Sequence, residues 1–222
     1  LSPEVRKQIA GLAVFQDGGN GWLSIPHVLD IDTDQVVIII KALIEVGLAQ
    51  PIGDYGYIRL DPALPATLDL GLTAQQREGY RQRWREVMGQ LVDFLYQQQF
   101  KDAKLAAQLT QLELPNLMAY LQTLVVDLQA GSVTAEMVAE KTRWVEQLLE
   151  YLHRPQALVQ VVAWHKQAAQ ALSEWSNARF VNERMNIDRL LQQGDLQAAF
   201  QATQALLQQC QQAGEHAYAG AD

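Results

Sequence analysis

Apolar residues recur every three or four positions through most of the chain, with a change of character near residue 70. Val5, Ile9, Leu12 and Ala13 put one buried face on a helix that Ser2 caps and Pro3 starts, running through EVRKQIAGLAVF. The glycine-rich stretch 16–21, QDGGNG, reads as a loop. SIPHVLDI predicts a short helix with Ser24 near its cap. DQVVIIIKALIEV predicts a longer one, capped by Asp32 or Thr33 and stopped by a left-handed Gly47. LAQPI, a GDYG turn and YIRL then predict two short strands of a hairpin. Three helices followed by a β-hairpin is the element order of a winged helix, so residues 1–66 are expected to form a small winged-helix domain.

Two prolines, Pro62 and Pro65, and a loss of periodicity mark residues 67–72 as a linker. From Thr73 to the end the pattern is helical throughout, and seven helices are expected, at about 75–99, 101–112, 114–130, 134–153, 155–173, 176–193 and 195–213. Pro115, Gly131-Ser132, Pro155, Ser173 and Gly194 punctuate them. Val145, Leu148, Leu149 and Leu152 share one face of their helix, and glutamine fills many of the polar faces, where it keeps helix propensity without charge.

Helix pairs with short turns suggest a solenoid with a period near 34 residues. Two stretches fit a tetratricopeptide pattern. In LLQQGDLQAAF, Gly194 and Asp195 form the turn inside a repeat, and Ala199 is the small residue that lets the second helix approach the first. In YQQQFKDAKLAAQLTQLELP, Phe100 is the packing residue after the turn, Ala103 the small one, and Pro115 ends the unit. Thr203 and Ala107 stand where an aromatic is expected, and Glu183 and Ile187 where Trp and Gly are. Three helices between the two intra-repeat turns do not make whole pairs, so an irregular helical superhelix is expected over 73–222. Its last repeat reads as truncated, which would leave Leu196, Phe200 and Leu207 uncovered as a protein-interaction surface and favour dimers through that end.

Composition narrows the function classes. The 222 residues are 49% hydrophobic and 19% charged, as in a globular protein. No apolar run approaches the roughly 18 residues of a membrane span. The single cysteine, Cys210, cannot form an internal disulfide, which favours a reducing, cytoplasmic setting. The net charge is −8, of which −5 falls before residue 70, and no basic stripe offsets it. Nucleic acid is therefore an unfavourable partner. The helix that would enter a DNA groove offers only Lys41 against Asp32, Asp34 and Glu45, and its middle is solidly apolar. It reads as a surface made to be buried.

Catalytic chemistry finds no constellation. DGGNGW is the only glycine-rich stretch, and it lacks the strand, helix and lysine of a phosphate loop. His27, His153, His165 and His216 have no metal-ligand spacing with one another or with Cys210, and each reads as exposed or helix-end. Glu146 and Glu150 read as a solvated helix face. Trp84, Trp144, Trp164 and Trp175, with Phe94, Tyr96 and Tyr151, read mostly as core. No cofactor, metal or enzyme activity is expected.

LSPEVRKQIAGLAVF, then IIIKALIEVGLAQPIGDYGYIRLDPAL, resembles the winged-helix segment of signal-transduction ATPases with an NB-ARC-type core. ELPNL and the closing GEHAYAGAD resemble the tetratricopeptide sensor arms of large bacterial members of that class. The resemblance implies a regulatory segment: a winged helix packing on an upstream nucleotide-binding domain, followed by an arm that senses a partner. Such winged helices often carry a nucleotide-sensing histidine just after the second wing strand, where this chain has Asp61, which an anionic phosphate would repel. Asp61 is expected instead to cap the turn that begins at Pro62. A stand-alone peptide-binding scaffold is the main alternative, and a DNA-binding regulator a third.

Overall fold

A computed structural model describes residues 8–172 and 175–214. Among them lie one 3-10 helix, nine α-helices and one small sheet of three strands, so the chain is mainly helical. The expected caps at Ser2 and Pro3, the stop at Ser173, His216 and most of GEHAYAGAD fall outside the described residues. The chain divides into two compact units, one of residues 1–122 with 144–158 and one of 123–143 with 159–222.

In the first unit, the 3-10 helix Ile9–Val14 replaces the end of the expected first α-helix. Strand β1, Gly18–Asn20, follows where the sequence suggested only a loop. Helix α1 is Ser24–Leu29 and α2 is Thr33–Glu45. The Asp32 carboxylate caps α2 by accepting from the Gln35 N–H. Gly47, at φ 73°, ends it, while the Leu48 N–H returns to the Leu43 carbonyl. Val36, Ile39 and Leu43 are the buried stripe of α2.

Strands β2, Ala49–Ile52, and β3, Tyr57–Leu60, form the expected hairpin, and β3 is central, in the order β1-β3-β2 with both pairs antiparallel. Gly18 lies opposite Arg59 and Asn20 opposite Tyr57. A methyl group on Gly18 would stand 1.9 Å from the Ile58 carbonyl oxygen, so only glycine lets the strands approach this closely.

Residues 67–69 of the expected linker 67–72 lie within a helix. Asp61 accepts from the Ala63 N–H and begins α3, Ala63–Asp69, which packs on the 3-10 helix. Helix α4, Ala74–Gln98, starts with a reciprocal capping box between Thr73 and Gln76. It packs on α1 and the 3-10 helix, and the Arg83 Nε donates to the Val28 carbonyl at 2.8 Å. The first unit consequently runs well past residue 72, because α4 buries its Trp84, Val87, Met88, Val92 and Leu95 stripe.

The expected helices 101–112 and 114–130 are one helix, α5, Ala103–Gln129, with Pro115 inside it. Proline deprives the Gln111 carbonyl of its usual partner, a cost of about 3 kcal/mol. Packing outweighs it: Ala106, Thr110, Glu113, Leu117 and Leu121 continue one buried stripe through the proline, which itself lies exposed on the opposite side. Helices α6, Ala135–Glu150, α7, Pro155–Gln170, α8, Asn177–Gln192, and α9, Leu196–Ala213, follow. Among the described residues six helices, not the expected seven, follow Thr73.

In the second unit α8 packs on α9, and Ser176 and Asp195 cap them through the Arg179 and Ala198 N–H groups. Gly194 holds φ 78° in the turn between them, and Ala199, Leu206 and Cys210 are buried on α9. His165 is buried, contrary to its expected exposure, with its Nδ1 3.3 Å from the Arg189 guanidinium.

Candidate ligand cleft

The first unit carries a cleft of about 410 Å³ between the sheet, α1, α4 and α5. Its shape starts at Asn20. The Asn20 carboxamide oxygen accepts from the Trp22 and Leu23 N–H groups, at 2.9 and 3.0 Å, while its amide donates to the Tyr55 carbonyl at 2.7 Å. The Asn20 N–H in turn donates to the Ser24 hydroxyl at 2.7 Å. This tight turn sends Trp22 and Leu23 outward, where they are 59% and 63% exposed. The Trp22 ring lies against Gly56, where an added methyl would fall 2.7 Å from it.

Apolar walls come from Val87, Leu91 and Phe94 on α4 and from Leu109 and Leu112 on α5. The deep residues are polar. Tyr57 and Glu113 both line the cleft and are 2% and 3% exposed. The Tyr57 hydroxyl is buried without a hydrogen-bond partner among the described residues. Burial, followed by the Glu113 and Asp17 charges, holds that hydroxyl well above the usual tyrosine range. Glu113 accepts from the Asn116 Nδ2 at 2.8 Å. Burial pushes its carboxyl up to about 7, with the Asn116 amide and the Asn20 backbone pulling the other way. The cleft thus holds a carboxyl group whose burial favours the neutral form, and a phenol with no partner among the described residues.

Two hydrogen-bonded clasps fix the sheet to α5. Asn116 accepts from the Gln16 N–H at 3.0 Å and donates to the Gly18 carbonyl at 2.8 Å, and the Tyr55 hydroxyl donates to the Gln108 Oε1 at 2.6 Å.

The residues singled out by repeat pattern divide between positions that match the expectation and positions that do not. Phe100 is 73% exposed and touches Tyr96 edge-on at 5.5 Å, so it is not a packing residue. Ala103 is exposed at the first turn of α5, where Asp102 caps, and the buried small residue is Ala106, one turn on. Pro115 ends no unit. Gly194 and Ala199 occupy a turn and a buried helix position. Leu196, Phe200 and Leu207 are 68%, 63% and 53% exposed. On α2, Val37, Ile38 and Ile44 are also exposed, flanking Lys41 on the outer side of the helix. Glu146, expected on a solvated face, is buried on α6 beside Val145 and Leu149. Of the aromatic residues, Trp84 is core, Trp144 stacks on Tyr96 at 4.6 Å, and Tyr151 and Phe94 are exposed.

Tyr57 in YIRL and Glu113 in ELPNL lie in stretches read for strand and repeat pattern, and neither is singled out there as a site residue. A signal for Glu113 exists in hindsight: it falls on the same 3.6-residue stripe as Thr110, Leu117 and Leu121. Among the described residues no group of three or more His, Cys, Asp or Glu side chains is placed to hold a metal, and no helix is long and apolar enough to cross a membrane. Comparison with protein-family models, with curated proteins and with solved structures gives no match to this chain.

Proposed function

We propose that the chain is a non-catalytic regulatory and protein-interaction segment of a larger signal-transduction ATPase. Residues up to about 66 act as a winged helix that packs on a nucleotide-binding domain, and the helices after Thr73 form a tetratricopeptide-like arm that senses a partner. The observation carrying this reading is the outer side of α2. Val37, Ile38 and Ile44 are exposed there, with Asp34 and Glu45 nearby and Lys41 as the sole base on the helix. A groove-reading helix needs donors and positive charge on that side, whereas an exposed apolar stripe suits a protein surface. The element order β1-α1-α2-β2-β3 with a three-stranded sheet also suits a winged helix better than the two-stranded expectation did.

The gene sequence on either side of this segment tests the reading. A phosphate-loop motif upstream supports it; a start codon just before Leu1 overturns it. With the upstream domain present, Ile38→Asp should release that domain from the segment. A second reading, a peptide-binding scaffold, draws on the exposed Leu196, Phe200 and Leu207 of α9. A DNA-binding role predicts salt-sensitive fluorescence anisotropy with duplex DNA, and its absence is the expected result.

A further inference from the structure

We infer that the cleft under Trp22 is a binding site for a small organic cation with an apolar body, an arylalkyl amine, whose ammonium group reaches Glu113 and the Tyr57 hydroxyl. The inference is independent of the ATPase reading, since it uses only the walls and floor of one cleft.

Depth orders the chemistry. The rim residues Trp22, Leu23 and Phe94 are 59%, 63% and 43% exposed, whereas Tyr57 and Glu113 are 2% and 3% exposed. An occupant therefore presents a polar head to the floor and an apolar body to the walls and rim. The volume, about 410 Å³, lies within the usual range for small-molecule sites. At the floor, the Tyr57 hydroxyl is buried with no partner among the described residues. Buried polar groups are nearly always paired, so the unpaired hydroxyl of this cleft-lining residue marks a place for a ligand's donor or acceptor.

The sign of the head group follows from the lining. Among the described residues no Lys or Arg lines the cleft, and Glu113 is its only acidic one. An anionic head would meet a buried carboxyl and a chain of net charge −8. A cationic head supplies the counter-charge that a buried carboxylate otherwise lacks, and its remaining N–H groups suit the Tyr57 oxygen. The rim aromatics favour an aryl body, which stacks on them. Among the described residues the other titratable groups that line the cleft are Tyr57 from β3 and His27 from α1, with Asp17 and Arg59 acting on Tyr57; α4 contributes the uncharged Gln90. Below neutral pH the entering ammonium displaces the Glu113 proton to the buffer, and above it no proton moves.

Isothermal titration of the whole chain with 2-phenylethylamine, 2-phenylethanol and 3-phenylpropionate tests this. At pH 8 the amine should bind at least roughly tenfold tighter than the alcohol, the size expected of a charge-assisted hydrogen bond. The acid should bind weakest. At pH 6, heats in two buffers of different ionisation enthalpy should show release of most of one proton. Glu113→Gln should bring the amine down to the alcohol, Tyr57→Phe should weaken the amine several-fold, and Trp22→Ala should weaken both ligands. Equal binding of amine and alcohol, tighter binding of the acid, or no binding of the amine overturns the inference. Tyr57→Phe removes one oxygen and Trp22 is exposed, so these two variants keep the test decisive if Glu113→Gln fails to fold.

Discussion

The carboxamide of Asn116 closes the outer edge of β1, taking the Gln16 N–H at 3.0 Å and giving its own N–H to the Gly18 carbonyl at 2.8 Å. One helix side chain supplies the donor and acceptor that a fourth strand would, and it does so while fully buried. Sheet edges left open invite pairing with other chains, and here a residue about a hundred positions away seals one.

Asn116→Ala should therefore destabilise the first unit by about 2–4 kcal/mol, since it leaves the Gln16 N–H, the Gly18 carbonyl and Glu113 short of a partner. Asn116→Asp keeps the acceptor but loses the donor and sets a second carboxyl beside Glu113. Urea unfolding monitored by tryptophan fluorescence should rank wild type above both. A loss under 0.5 kcal/mol for the alanine variant would mean that water replaces the amide.

Glu113 sets a pH dependence. Its carboxyl titrates near 4.5 when unfolded and near 7 when folded, because burial penalises the anion. Between those values the folded chain holds a proton that the unfolded chain has given up. The resulting stability is full below pH 4.5 and is lost as pH rises through about 7, amounting to about 3 kcal/mol. Urea midpoints of wild type should fall from pH 5 to pH 8 relative to those of Glu113→Gln. Parallel curves for the two proteins would mean that the carboxyl titrates alike in both states.

Two glycine substitutions should separate steric from conformational demands. Gly18→Ala drives a methyl into the Ile58 carbonyl and should cost more than about 3 kcal/mol, splitting β1 from β3. Gly47→Ala meets no atom within 4 Å and carries only the strain of φ 73°, about 1 kcal/mol. Thermal unfolding of the pair gives the comparison, and equal losses would contradict it.

Pro115→Ala should stabilise the protein by about 1–3 kcal/mol, because it returns an N–H to the Gln111 carbonyl at an exposed position of α5. A loss of stability instead would show that packing near the proline depends on the missing bond.

Phe200→Asp should leave the unfolding midpoint within about 0.5 kcal/mol of wild type, since the ring is 63% exposed. If α9 is a contact surface, the same change should abolish self-association in sedimentation at high concentration. Wild type that stays monomeric would remove the dimer expected through this end.

Much of α2 and of the hairpin was legible in the sequence because their signals are local: a cap at Asp32 or Thr33, an apolar run, a stop at Gly47 and a turn at GDYG. Strand β1 was not, since Gly-Gly-Asn has low strand propensity and becomes a strand only through Tyr57–Arg59 about forty residues on. Pro115 misled in the opposite sense: a strong local breaker is overruled by a buried stripe that runs through it. The cleft was least legible. Glu113 and Tyr57 come from a helix and a strand that share no local pattern, and long-range bonds such as the Asn116 and Tyr55 clasps bring those elements together. His165 and Glu146 show the same limit, as polar residues that tertiary packing buries.

The clasp between Tyr55 and Gln108 also bears on how the protein is made. By residue 60 a growing chain has every strand of its sheet, yet the helix that holds both the turn at Tyr55 and the rim of β1 has not begun. Until α5 emerges, the β1 edge is unsealed and the phenol floor lacks its cover. A piece cut at residue 72 would share that incomplete state, so the sheet and the two long helices are expected to fold, resist protease and fail together.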